Sequence, residues 1–248
     1  MSKILYLVPG NMDKSELQRR QHIAQRLLIN PSSNEVCFVS SDNGPISIES
    51  SVEEAMSVPG MIHTYYKMKE EYAAVIIGCA GDPGIVAMRE LLTIPVVGPF
   101  QSSIALATTL GHSYGVISIL DELNPSTILQ LRGLGYDNTL TGIKSIDCKV
   151  LDMSDGVTPE AEILDAITKK TEEFAEEGAS SVVLGCMTLA FLLVDEKLKN
   201  RVTIPIINPA KVAINTAELL ISSGLCHSKL TYPIPDMSKL YRSVLNNI

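Results

Sequence analysis

The sequence predicts an α/β protein of two pseudo-symmetric three-layer domains. Each holds a mainly parallel four-stranded sheet. Three observations predict this. Short runs rich in Val, Ile and Leu alternate with helical patterns along the whole chain, as in sheets covered on both faces. One phrase occurs twice, as Ala73-Ala74-Val75-Ile76-Ile77-Gly78-Cys79 and as Ser180-Ser181-Val182-Val183-Leu184-Gly185-Cys186. Each copy is followed by a helical stretch and a second apolar run, Thr93-Ile94-Pro95-Val96-Val97-Gly98-Pro99 and Thr203-Ile204-Pro205-Ile206-Ile207-Asn208-Pro209. Alternation of strand and helix makes parallel sheets, and the repeat makes two of them.

The elements follow in order. Ile4–Val8 is the first strand. Ser15-Glu16-Leu17-Gln18 is a capping box that opens a helix to Ile29, stopped before Pro31. Val36–Ser40 is the second strand, and Ser41–Pro59, polar and dotted with Gly and Pro, reads as a mobile loop over the site. His63, Tyr65 and Tyr66 fall in a helical pattern before the strand Ala74–Ile77. Asp82 caps a helix starting at Pro83, and Val96–Val97 ends the first half. Ser102 and Ser103 cap the next helix, before the strand Gly115–Leu120. Asn124-Pro125 and Thr158-Pro159 each put a capping side chain before a helix-starting proline, with the strand Ile146–Leu151 between them. The second of these helices shows Ile163, Ile167 and Phe174 on one face and ends at Gly178. Ser181–Leu184 and Ile204–Ile207 are the last strands. The final helix carries Val212, Ile214, Ala217, Leu220 and Ile221, and is expected to return to the first half. The domains are then 1–97 plus 208–248 and 98–207.

Composition narrows the function. The 248 residues are 46% hydrophobic with a net charge of −8 and no basic block, so nucleic acid and anionic membrane are poor partners. The absence of Trp removes stacking platforms for single strands. No stretch approaches a membrane span, and the N-terminal apolar run is too short for a signal peptide. Five scattered cysteines, at 37, 79, 148, 186 and 226, are no disulfide framework, and a reducing cytoplasm is the expected setting.

The chemistry sits at the repeat. Ligands bind beyond the carboxyl ends of parallel strands, where Cys79 and Cys186 each follow a glycine. Free backbone N–H groups and a helix dipole there are expected to lower both thiol pKa values toward neutrality. A single cysteine at a strand end is more often packing than chemistry. Two at matched positions of a repeat favour function, whereas Cys37, Cys148 and Cys226 favour packing. The two cysteines lie far apart in sequence with no His beside either, so metal spacing is absent. No G-x-G-x-x-G follows a strand and no Walker-type loop occurs. Asn11, after the first strand, is a turn residue or an amide contact to ligand. Thr188 caps its helix or donates to a carboxylate or carbonyl. Ser102 and Ser103 are caps that can also touch an anion.

At these residues the chain resembles the aspartate/glutamate/hydantoin racemase superfamily, above all its hydantoin and allantoin branch. The carriers are Gly78-Cys79-Ala80-Gly81-Asp82-Pro83-Gly84, Ile94-Pro95-Val96-Val97-Gly98, Ile146-Asp147-Cys148-Lys149-Val150-Leu151 and Gly185-Cys186-Met187-Thr188. The resemblance spans nearly the whole chain. It departs at Val8-Pro9-Gly10-Asn11-Met12, where the branch often has Asn-Pro-Asn-Thr, and at Met187-Thr188, where Ala-Gly or Thr-Gly is common. It implies two pseudo-symmetric domains with the active site in the cleft between them, and a cofactor-independent racemase with Cys79 and Cys186 catalytic. One thiolate takes the proton from a carbon beside a carbonyl, and the other thiol returns one to the opposite face. Asn11, Ala80, Gly81, Ser102, Met187 and Thr188 are the implied substrate contacts, and a homo-oligomer is the implied assembly. No cofactor and no metal are expected. A 5-substituted hydantoin or allantoin is the expected substrate. The alternatives are an amino-acid racemase, a one-cysteine decarboxylase or isomerase, and a ligand-binding relative without turnover.

Overall fold

The computed structural model describes residues 1–240. The first half runs β1 (Ser2–Val8), α1 (Lys14–Leu27), β2 (Asn34–Ser40), α2 (Ser51–Lys67), β3 (Ala74–Ile77), α3 (Ile85–Leu91) and β4 (Val96–Val97). The second continues α4 (Pro99–Leu110), β5 (Tyr114–Ser118), α5 (Asn124–Leu134), β6 (Leu140–Ser145), α6 (Val150–Ser154), α7 (Glu160–Glu176), β7 (Val182–Leu184), α8 (Met187–Phe191), α9 (Val194–Leu198) and β8 (Ile206–Ile207). The helices α10 (Pro209–Ser223) and α11 (Met237–Leu240) close the described chain.

Two four-stranded sheets form, and every pairing is parallel. They share one strand order, β2-β1-β3-β4 and β6-β5-β7-β8. The repeated phrase thus builds equivalent strands, β3 and β7, each beside the strand where the order reverses. The Gly78 N–H donates to the Leu7 carbonyl at 2.7 Å, and the Gly185 N–H to the Ile117 carbonyl at 2.8 Å. A Cβ at Gly78 would stand 2.9 Å from the Leu7 oxygen, and one at Gly185 3.0 Å from the Ile117 oxygen. Glycine before each cysteine therefore serves the close approach of two strand ends.

The first sheet is covered in part by helices from later in the chain. On one face of the first sheet, Ile4, Tyr6 and Val36 pack against Ala24 of α1, Phe191 of α8 and Ala213, Ile214 and Ala217 of α10. Its other face, with Leu5, Leu7 and Val75, meets Met61 of α2 and Met88 of α3. On the second sheet, Tyr114, Val116 and Val183 pack on Phe100, Ile104 and Ala107 of α4. Ile163, Ile167 and Phe174 of α7 cover the opposite face with Val194 and Leu198 of α9. Each fully buried side chain of this kind contributes about 1.5–3 kcal/mol through area removed from water. The returning α10 is fastened by the buried Glu218 carboxylate, which accepts from Ile29 N–H at 2.7 Å, Asn30 N–H at 2.9 Å and the Asn34 amide at 2.9 Å. On this packing we propose the division into 1–97 with 208–240 and 98–207. Residues 241–248 of the expected first domain lie outside the described residues.

Several local expectations are corrected. Helix α1 is capped by Asp13, whose carboxylate accepts from the Ser15 and Glu16 N–H groups, and not by Ser15. The stretch Ser41–Pro59 is a loop only to Ser50. There Ser50 and Glu53 form a capping box, and α2 continues through Pro59. No side chain caps α3, α5 or α7 in the way expected of Asp82, Asn124 and Thr158. Ser102 and Ser103 bond back to carbonyls at 98 and 99, while Asp82 caps α4 instead. The sixth strand is Leu140–Ser145, not Ile146–Leu151. As a half-exposed edge strand it carries Thr141 and Lys144, so its apolar signal is weak. The chain then turns at Asp147, with φ +53°, into a loop and α6.

Candidate active site

The carboxyl ends of β1, β3, β5 and β7 converge on one cleft of about 330 Å³, small even for a small-molecule site. Cys79 and Cys186 both line it. The repeat has thus become a pair of thiols on one cavity, each from the third strand of its sheet. Cys79 is half-buried and receives the Gly81 N–H at 3.4 Å from its sulfur. Cys186 is buried at the start of α8, where the Thr188 and Leu189 N–H groups and the Thr188 hydroxyl favour its thiolate.

The expected lowering of the thiol pKa values is corrected. Burial pushes Cys79 up to about 12; the Gly81 N–H opposes this, while Cys186, Glu54 and Asp82 add to it. Burial also raises Cys186, against the N–H groups and Arg20. The reason is desolvation. A thiolate loses more on leaving water than one or two N–H groups return.

Of the other expected contacts, Asn11, Ala80, Gly81, Met187 and Thr188 line the cleft. Ser102 does not, and its hydroxyl donates to the carbonyls of Gly98 at 2.8 Å and Pro99 at 3.2 Å. Asp82, buried and at φ +50°, accepts from Phe100 N–H at 3.0 Å and Gln101 N–H at 2.8 Å. It therefore ties the Cys79 loop to α4, and burial raises its carboxyl to about 7. The basic residues nearest the site in sequence, Arg89 and Lys211, do not line the cleft. Arg89 is buried and donates to the Val96 carbonyl, the Tyr232 hydroxyl and the Gln101 side chain.

Among the polar side chains of the cleft that sequence reasoning missed, three bear on the cysteine loops. Arg20 is buried, ion-paired to Glu16 at 2.6 Å, and donates to the Thr188 hydroxyl at 3.3 Å. Its signal was the i,i+4 pair Glu16–Arg20, which reads equally as a solvated helix face. Glu54 follows the unrecognised capping box on α2; its carboxylate lies 3.5 Å from where a Gly81 Cβ would be. Gln130 of α5 donates to the Gly81 carbonyl at 3.1 Å, tying the second half to the Cys79 loop. The loop 46–50 also lines the cleft, and the Glu49 carboxylate reaches across it to the Val150 N–H at 2.7 Å.

Two like sheets with matched cysteines on a shared cleft define a class of two-domain α/β enzyme, and comparison places the chain within it. Residues 15–217 match the family described as "Asp/Glu/Hydantoin racemase". A hydantoin racemase of Pseudomonas sp. (strain NS671) is 32% identical over 218 residues, covering 87% of this chain and 86% of that protein. A hydantoin racemase of Rhizobium meliloti is 29% identical over 228 residues, 91% of this chain and 92% of that one. The crystal structure of allantoin racemase from Pseudomonas fluorescens superposes with a TM-score of 0.86 at 24% identity. It covers 94% of this chain and 97% of the other, and shares the fold. The chain belongs to the Asp/Glu/hydantoin racemase family and is a racemase, an isomerase.

Proposed function

We propose that this racemase works by two thiols, with Cys79 and Cys186 on opposite faces of one carbon acid, and that its substrate is a 5-substituted hydantoin or allantoin. The observation that carries the mechanism is the equivalence of β3 and β7 in two sheets of one strand order, with both cysteines on one cleft. One thiolate removes the ring-carbon proton, and the opposite thiol supplies a proton to the other face. Reverse turnover exchanges the roles, so equivalent positions are required. A desolvated thiolate is scarce at rest but a stronger base than one in water. The N–H groups of Gly81, Thr188 and Leu189 already serve the sulfurs. Among the lining side chains, the Asn11 amide offers both an acceptor and a donor to a ring carbonyl or ring N–H.

Charge supports the neutral ring. The cleft is lined by Asp13, Glu16, Glu54 and Asp155, and Arg20 is its single basic side chain among the described residues. The Arg20 charge is engaged by Glu16. Free aspartate would bring two carboxylates into this field, whereas a hydantoin brings alternating carbonyl and N–H groups. Incubation in heavy water with single enantiomers of a 5-substituted hydantoin, allantoin and aspartate tests the reading. Loss of optical rotation with deuterium uptake at the hydantoin or allantoin carbon is expected, and exchange with aspartate alone refutes the substrate assignment.

A further inference from the structure

The two cysteines are matched in the fold but not in their surroundings. Beside Cys186 stands a chain of donors. The Arg20 guanidinium, buried over the Phe191 ring at 5.2 Å, donates to the Thr188 hydroxyl at 3.3 Å. That hydroxyl and the Thr188 and Leu189 N–H groups favour the thiolate of Cys186. Beside Cys79 stand carboxylates. Glu54 lies against Gly81, and among the described residues no hydrogen bond or ion pair reaches its carboxylate. Asp82 follows in the same loop, and a single N–H, from Gly81, meets the Cys79 sulfur. The other titratable groups of the cleft are Glu16, bound to Arg20, with Asp13 and Asp155, and the buried Tyr6 phenol on β1 lies close by.

Resting on the two-thiol reading, we propose that Arg20 and Glu54 are positioning residues that split the matched thiols. Arg20, through Thr188, makes Cys186 the thiol that ionises first in the substrate-free enzyme, and Glu54 holds Cys79 as the thiol. A positive charge near a sulfur favours its anion, and a carboxylate disfavours it. The bookkeeping of protons follows. Cys186, once it has given its proton to solvent, takes the substrate proton, and Cys79 delivers its own to the other face. The negative charge then stands on Cys79 beside Glu54, the less favourable side. A proton must pass from Cys186 to Cys79 through solvent before the same enantiomer is turned over again. The enantiomer whose proton faces Cys186 is the one accepted by the thiolate that forms first.

The test is alkylation of the substrate-free protein by iodoacetamide from pH 6 to about 11, with each cysteine peptide followed by mass spectrometry, and a rate still rising at the upper limit places that sulfur's midpoint above it. Only thiolate reacts, so the pH midpoint of each rate reports that sulfur, whatever its accessibility. In the wild type, Cys186 is expected to react with a midpoint at least about one pH unit below that of Cys79, about tenfold in thiolate fraction. Arg20→Gln raises the Cys186 midpoint and Arg20→Lys restores most of it. Glu54→Gln lowers the Cys79 midpoint and leaves that of Cys186. A Cys79 midpoint at or below that of Cys186 overturns the proposal, as does an Arg20→Gln change that moves both midpoints alike. If Arg20→Gln does not fold, the wild-type order and Glu54→Gln decide. No substrate enters this measurement. A correct midpoint order in a protein inert toward hydantoins refutes the function alone, and a reversed order in an active racemase refutes this inference alone.

Discussion

Replacing Asp82 by Ala should loosen the Cys79 loop and destabilise the fold together. The Asp82 side chain is buried, and its two oxygens accept from consecutive N–H groups in the first turn of α4, at 3.0 and 2.8 Å. Its own N–H donates to the Cys79 carbonyl at 3.1 Å, so the cap and the cysteine share one turn. Alanine leaves the buried Phe100 N–H unpaired, which costs about 1–3 kcal/mol. The Gln101 N–H is half-buried and costs less, and loss of a helix cap is worth about 0.5–2 kcal/mol. Together these give about 2–4 kcal/mol. Asn keeps one acceptor and turns its NH2 toward the second N–H, so it should cost about half as much. Urea unfolding should therefore order the midpoints as wild type, Asp82→Asn, Asp82→Ala. A shift of about 1 Å at the Cys79 sulfur is worth about a hundredfold in rate, so kcat should fall in the same order, with KM changed less. An Asp82→Ala protein within about 0.5 kcal/mol of wild type and fully active would refute the claim that this cap holds the loop.

Four further outcomes are expected. Cys79→Ser and Cys186→Ser should each abolish racemisation, and each should keep proton exchange with at most one enantiomer in heavy water; full racemisation by either variant defeats the two-thiol mechanism. Because burial raises both thiols, kcat/KM should keep rising with pH beyond the ordinary thiol value of about 8.5, and a plateau reached near neutrality contradicts this. The kcat/KM for a 5-substituted hydantoin should exceed that for L-aspartate at neutral pH; the reverse ends the substrate assignment but leaves the mechanism. His227 accepts the Val96 N–H at 2.8 Å, and burial lowers its pKa to about 4. A depressed histidine stabilises the fold in its neutral form. The stability lost in His227→Ala should be full above about pH 6.5 and vanish as the pH falls through 4. A difference unchanged down to pH 4 argues against the contact.

The fold and the cysteine pair were legible in the sequence, because both rest on local and repeated signals. Buried parallel strands are continuous apolar runs, and seven of the eight lie where those runs stand. The miss was the edge strand Leu140–Ser145, whose exposed side carries polar residues, so the stronger run after it was chosen. Capping by Asp82 was misplaced because a carboxylate caps whichever N-terminus comes within reach, and α4 came nearer than α3. Arg20 and Glu54 were missed for a related reason. On a helix they read as ordinary charged positions, and only the packing of α8 over α1 and of α2 over the Cys79 loop turns them inward.

What the sequence by itself determined is the covalent pattern: two copies of a strand ending in Gly-Cys, hence two equivalent sheets and two equivalent thiols. What only the tertiary structure decided is the field around those thiols. Burial raises both, a guanidinium stands on one side, and a carboxylate stands on the other. Hydrophobic periodicity is a property of neighbours in sequence. Desolvation and Coulomb interaction depend on distance and on excluded water, and these exist only once the chain has folded.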